Sequence, residues 1–180
     1  VTVPVMAETP AANDPRLSTA PKTGTAAAPA DAANLNEALN VAGGTLTFTS
    51  EGDHPWIVDG DAAKSTNVNV ANSTSTVSTT VTAAAGDILQ FDFRSFGEGF
   101  GDTVWDGLHL FIDGTEVAKW NRVETWTTYA VELTAGEHTV TWTYQKDSSV
   151  DKEGDYANVD NVYVGAPVAV SYTHLRAHET

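Results

Sequence analysis

Acid–base and metal chemistry in this sequence would fall to 24 carboxylates and five histidines, because there is no cysteine. That absence removes thiolate nucleophiles, thiolate zinc sites and disulfides. Hydrolytic chemistry is poorly served. There is no Gly-x-Ser-x-Gly elbow and no His-Glu-x-x-His pair. His54, His109 and His138 are far apart in sequence, and His138 opens a strand where a structural role is expected. A glycosidase on a sheet scaffold needs two carboxylates facing each other across a cleft. No strand pattern carries them at i, i+2 in an aromatic groove. The carboxylate-rich run Asp151–Asp155 reads as a solvated loop. The sequence therefore predicts no enzyme. Many carboxylates, amides and carbonyls do suit a hard cation with oxygen ligands, hence Ca²⁺.

Aromatic residues offer the other chemistry. Phe100 and Trp105 lie in a Gly-rich loop, Phe96–Asp106, beside Glu98, Asp102 and Asp106. Aromatic faces flanked by carboxylates can bind a sugar by stacking and hydrogen bonding. The same loop can instead fold down as a cover on the core. Trp126, Tyr129, Trp142 and Tyr144 fall on alternating segments and are expected in the core.

The elements that hold these residues are strands. Leu89, Phe91 and Phe93 alternate with Gln90, Asp92 and Arg94. Leu108, Leu110 and Ile112 alternate with His109, Phe111 and Asp113, and Val140, Trp142 and Tyr144 with threonines. Period two is the mark of an antiparallel strand with one buried face. Asp113–Gly114 between apolar runs signals a tight hairpin. One short helix is expected near Asp31–Asn40, with Asp31 as its cap and Gly43–Gly44 as its stop. About nine strands at regular spacing predict an all-β fold, a two-sheet antiparallel β-sandwich of jelly-roll type with one short N-terminal helix.

The ends differ in composition. Residues 1–33 have no aromatic and five of the seven prolines, which reads as an Ala/Pro/Thr linker. Val5 and Ala7 fit the end of a secretory leader, and an internal linker fits as well. Val170–Thr180 matches, codon by codon, the translation of a transposase-type sequencing adapter, and residues 167–180 are read as a linker followed by that appended segment. The domain is expected at 34–166. It carries six basic and twenty acidic residues, a formal charge of −14. Such a charge disfavours nucleic acid and anionic membranes, and no apolar run approaches the ~20 residues of a spanning helix.

The order of short blocks resembles the jelly-roll modules of bacterial surface proteins that group with MAM domains and cleaved-adhesin domains. The residues that carry the likeness are Leu35–Phe48, Pro55–Trp56, Leu89–Phe93, Asp106–Gly107, Ile112–Gly114, Trp126, Ala135–Asp147 and Gly154–Val162. The resemblance implies a non-catalytic adhesion or ligand-binding module of a larger extracellular or cell-wall-attached protein. It implies a host or cell-surface glycan or protein as partner, and further domains in the same chain. A carbohydrate-binding accessory domain of a secreted hydrolase is the alternative. The resemblance also implies a structural Ca²⁺ between the first and closing strands, with Glu51, Asp53 as its substitute, and Asp160 as ligands. Asp59–Gly60–Asp61 is a second candidate.

Overall fold

A computed structural model describes residues 31–149 and 154–168. Residues 1–30 and 169–180, which hold most of the expected linkers and the whole adapter-like segment, lie outside the described residues, as do 150–153.

Alternation produces the expected strands. The described residues form α1 (Leu35–Leu39), β1 (Phe48–Thr49), β2 (Ile57–Asp59), β3 (Ala62–Lys64), β4 (Thr74–Ala83), β5 (Ile88–Ser95), β6 (Glu98–Phe100), β7 (Thr103–Ile112), β8 (Thr115–Trp120), β9 (Val123–Glu132), β10 (Gly136–Gln145) and β11 (Ala157–Gly165). The extra strands relative to the sequence reading are short. β2 and β3 come from the Ile57–Lys64 hairpin, and β6 from the segment read as a loop.

Every sheet pairing is antiparallel. One sheet runs β1-β4-β10-β7-β6 with β8 also on β7, and the other runs β2-β3-β11-β5-β9. With β1, β2 and β6 set aside, the remaining eight strands counted in chain order lie 2-7-4-5 in one sheet and 1-8-3-6 in the other. That is jelly-roll winding, two interlocked Greek keys. Asp113 (φ 52°) and Gly114 (φ 79°) form the expected tight turn between β7 and β8.

The helix is shorter than its pattern and capped differently. Asn34, not Asp31, is its N-cap: the Asn34 side chain accepts from Glu37 N at 2.9 Å, and Glu37 accepts from Ala33 N at 2.8 Å. This is a reciprocal capping arrangement. Ala32, assigned to the linker, donates to Gly60 O at 2.8 Å and packs against the core. Asn40 forms a parallel bridge with Val162, which fixes α1 beside β11.

The inner faces of the sheets meet in an aromatic cluster. Phe91 lies 5.4 Å from Trp142, 5.6 Å from Tyr129 and 6.2 Å from Trp120, ring centre to ring centre. Trp142, Tyr129 and Tyr144 are buried as expected. Trp126 is not; it stands half-buried on the opposite face of β9.

Candidate functional site

The outer face of the β2-β3-β11-β5-β9 sheet carries the densest chemistry. Core-facing Phe91 and Phe93 force Asp92 and Arg94 outward. On β9 the buried Tyr129 likewise turns Trp126 outward, three residues away. Arg94 sits with its guanidinium 5.2 Å from the Trp126 ring and 5.3 Å from the Phe96 ring. Phe96 lies 5.0 Å from Tyr156, and Lys64 Nζ lies 4.2 Å over the Tyr156 ring. The result is one row: Trp126, Arg94, Phe96, Tyr156, Lys64. All five side chains are half-buried.

Hydrogen bonds fix this row from beneath. The buried Asn158 accepts from Arg94 Nε at 2.9 Å. Its amide nitrogen donates to Asp59 Oδ2 and to Ala63 O, each at 3.1 Å. Arg94 thus makes this bond through Nε alone. Neither Arg94 nor Lys64 has a carboxylate partner among the described residues. Farther along the face, Asp92 accepts from Thr128 Oγ1 at 2.5 Å and from Asn161 Nδ2 at 2.8 Å. Burial pushes its carboxyl above the usual range, and these two bonds offset part of that shift.

A second feature surrounds the residues expected to bind ligand. Phe100 is 82% exposed and Trp105 44%. The cover reading is therefore overturned: neither ring reaches the core. The segment read as a loop is largely a hairpin, because β6 and β7 pair through it at Glu98–Asp106, Gly99–Val104 and Phe100–Thr103. Gly97 and Gly99 serve close approach, while Gly101 (φ 59°) makes the turn. A Cβ on Gly97 would lie 2.1 Å from Asp106 O, and one on Gly99 2.2 Å from Thr103 O. A groove of about 460 Å³ lies between the hairpin turn and the β8–β9 corner, lined in part by Gly101, Asp102, Val104, Trp120, Asn121 and Val123. Asn121 Nδ2 donates to Thr103 O at 3.1 Å and Arg122 Nε to Gly97 O at 3.1 Å, tying the hairpin to that corner.

The calcium residues are not gathered. Glu51 and Asp53 lie exposed in the bend after β1, whereas Asp160 is 2% exposed within β11. Asp160 Oδ1 accepts from the Asn161 amide at 2.6 Å. Asp59 and Asp61 flank the β2–β3 turn, and Asp59 bonds Asn158. Among the described residues no three His, Asp or Glu side chains could hold a metal ion together. Glu51, Asp53 and Asp160 therefore form no such group.

Sequence reasoning missed the Trp126–Lys64 row and a buried polar cluster. Asp106, expected beside the ligand loop, is fully buried, as is the Lys146 side chain that it meets at 2.9 Å. Asp155, expected in a solvated loop, is 8% exposed, with Oδ2 3.8 Å from Lys146 Nζ. His138 has the structural role expected of it. Its Nδ1 lies 2.6 Å from Asp113 Oδ2 and its Nε2 2.7 Å from Thr134 O. Both partners are acceptors, so the imidazolium form satisfies both contacts, and the Asp113 bond holds the His138 pKa above its ordinary value.

By sequence, no protein family and no curated protein matches this chain. Solved structures do. The secreted serine protease VesC from Vibrio cholerae aligns over 66% of this chain at 17% identity and a TM-score of 0.54; the chain spans only 24% of that protein. A family 29 carbohydrate-binding module aligns over 74% of this chain and 94% of its own at 14% identity, with a TM-score of 0.46. A family 35 module from Clostridium thermocellum aligns over 66% and 92% at 18% identity, with a TM-score of 0.42. At such identities the likeness is one of fold.

Proposed function

We propose that this chain is a non-catalytic ligand-binding module that takes a glycan on the Trp126–Arg94–Phe96–Tyr156–Lys64 face. The observation that carries this is the row itself. It offers half-exposed rings for stacking against sugar faces and polar groups fixed in place beside them. Lys64 and Arg94 favour a sugar bearing carboxylate or sulfate over a neutral one, because each would gain a charge-assisted hydrogen bond there. The domain's charge of −14 opposes any anion at long range, but screening confines that repulsion to about 8 Å at physiological salt.

Titration calorimetry against polygalacturonate and against a neutral galactan tests the reading. Binding of the acidic polymer, lost in Y156A and in R94A, supports it. Binding that survives both variants, or none to any glycan on a broad array, refutes it.

A second reading is favoured by the hairpin. Phe100, at 82% exposure, projects beside a groove and would suit a protein partner rather than a sugar. It predicts that F100A abolishes adhesion to a protein-coated surface while Y156A does not. Either reading is consistent with an extracellular module of a larger surface protein, as the MAM-like and cleaved-adhesin-like pattern implies, or with an accessory domain of a secreted hydrolase. Among the described residues no helix is long and apolar enough to cross a membrane.

A further inference from the structure

Lys146, Asp106 and Asp155 meet at the end of the sandwich where β10 and β7 part. Lys146 Nζ lies 2.9 Å from Asp106 Oδ2 and 3.8 Å from Asp155 Oδ2. The Lys146 and Asp106 side chains are wholly buried, and that of Asp155 is 11% exposed. The backbone amide of Asp147 donates to the other Asp106 oxygen at 2.8 Å. Fully buried lysines are rare. A buried ion pair seldom stabilises more than an apolar pair of the same size would. Electrostatics alone is thus a weak reason for this cluster. We propose that Lys146 and Asp106 condense to an intramolecular amide between Nζ and Cγ.

The chemistry balances without any co-reactant. An ammonium and a carboxylate in contact differ from an amine and a carboxylic acid by one proton moved along their hydrogen bond. Transfer of that proton along the 2.9 Å contact gives Nζ the lone pair that the reaction needs. The Nζ lone pair attacks Cγ, and negative charge gathers on Oδ1, where the Asp147 N–H already points. Asp155 takes a proton from the nitrogen and passes it to the departing Oδ2, ending as it began. The C–O bond breaks and one water leaves. Of the three ammonium protons, one stays on the amide and two depart in the water; net charge is unchanged. Contact between the two groups replaces a bimolecular encounter. Burial afterwards keeps water from reversing the step. In a chain without cysteine, this bond ties β7 to the residue that follows β10, the role a disulfide plays elsewhere.

Intact-mass measurement of the denatured full-length chain decides the matter. The wild type is expected to lie below its sequence mass by one water, about 18 Da. Fragmentation should return a branched peptide joining residues 106 and 146. K146M, D106A and D155A should each stand at their own sequence mass, and D106N should lose ammonia, about 17 Da, instead. A folded wild type that keeps its full sequence mass after prolonged incubation overturns the proposal, whatever the variants do. A link found at Asp155 overturns the assignment of roles.

Discussion

Replacing Trp126 and Trp142 separately by alanine should give losses of very different size, although both lie in strands of similar composition. Trp142 is fully buried, with Phe91 at 5.4 Å and Phe48 at 6.1 Å. Its removal opens a cavity between the sheets, and a buried Trp→Ala change costs about 3–5 kcal/mol. The indole nitrogen has no hydrogen-bond partner among the described residues, so no bond to them is lost with it. Against a total of about 5–15 kcal/mol, W142A should melt on the order of 10–20 °C lower or fail to fold. Trp126 is half-buried and its mapped contact is the Arg94 guanidinium at 5.2 Å. A cation–π contact at an exposed site contributes about 0.5–1 kcal/mol, so W126A should lose only a few degrees. Urea melts followed by circular dichroism give both values, with the m-value as a check that the folded state is unchanged. Equal losses in the two variants, or a stable W142A, would refute the assignment of faces.

Stability should fall as pH rises from 6 to 9. The His138 pKa is raised in the folded chain, so its contribution is full below the ordinary 6.5 and is lost as pH climbs through the folded value. Asp113, held low first by its bond to His138, contributes above the ordinary 3.8 and loses that contribution as pH falls through its lowered value. H138Q should flatten the 6–9 limb of a melting-temperature profile; an unchanged limb would show that the pair is not responsible. Gly97→Ala should unpair β6 from β7, because its Cβ would strike backbone at 2.1 Å, and limited proteolysis should then cut near residue 97; a variant as resistant as wild type would contradict the packing. With no third carboxylate beside Asp160 among the described residues, EDTA should leave the melting temperature unchanged. A drop that Ca²⁺ restores and D160A abolishes would establish the calcium site expected from the sequence.

Period-two arithmetic made most of the fold legible. Leu89, Phe91 and Phe93, or Val140, Trp142 and Tyr144, assign a core face with no structure in hand. The same arithmetic applies to the site. Trp126 and Tyr129 are three apart, so one strand cannot bury both. Lys146 continues the row of Trp142 and Tyr144, and Asp106 that of Leu108 and Leu110, so both were due to face inward. What could not be read is which strands become neighbours. The Trp126–Lys64 row needs β9, β5, β11 and β3 side by side, an order set by long-range winding rather than local pattern. The Gly-rich loop misled for another reason. Glycine signals either mobility or close packing, and only the partner backbone tells the two apart.

The parallel bridge between Asn40 and Val162 has a mechanical consequence. It joins the segment that leads into the sandwich to the strand that leads out of it, running the same way. Tension applied at residues 34 and 166 therefore drags the two segments past each other instead of peeling them apart. The first bonds to bear load are this bridge and the Val41 N to Val162 O bond, at 3.2 Å. Once they yield, force passes to β11, which lies between β3 and β5 and must slide along both before it comes free. The Trp126–Lys64 row spans those same strands, so a ligand seated across it would brace the element on which the load falls.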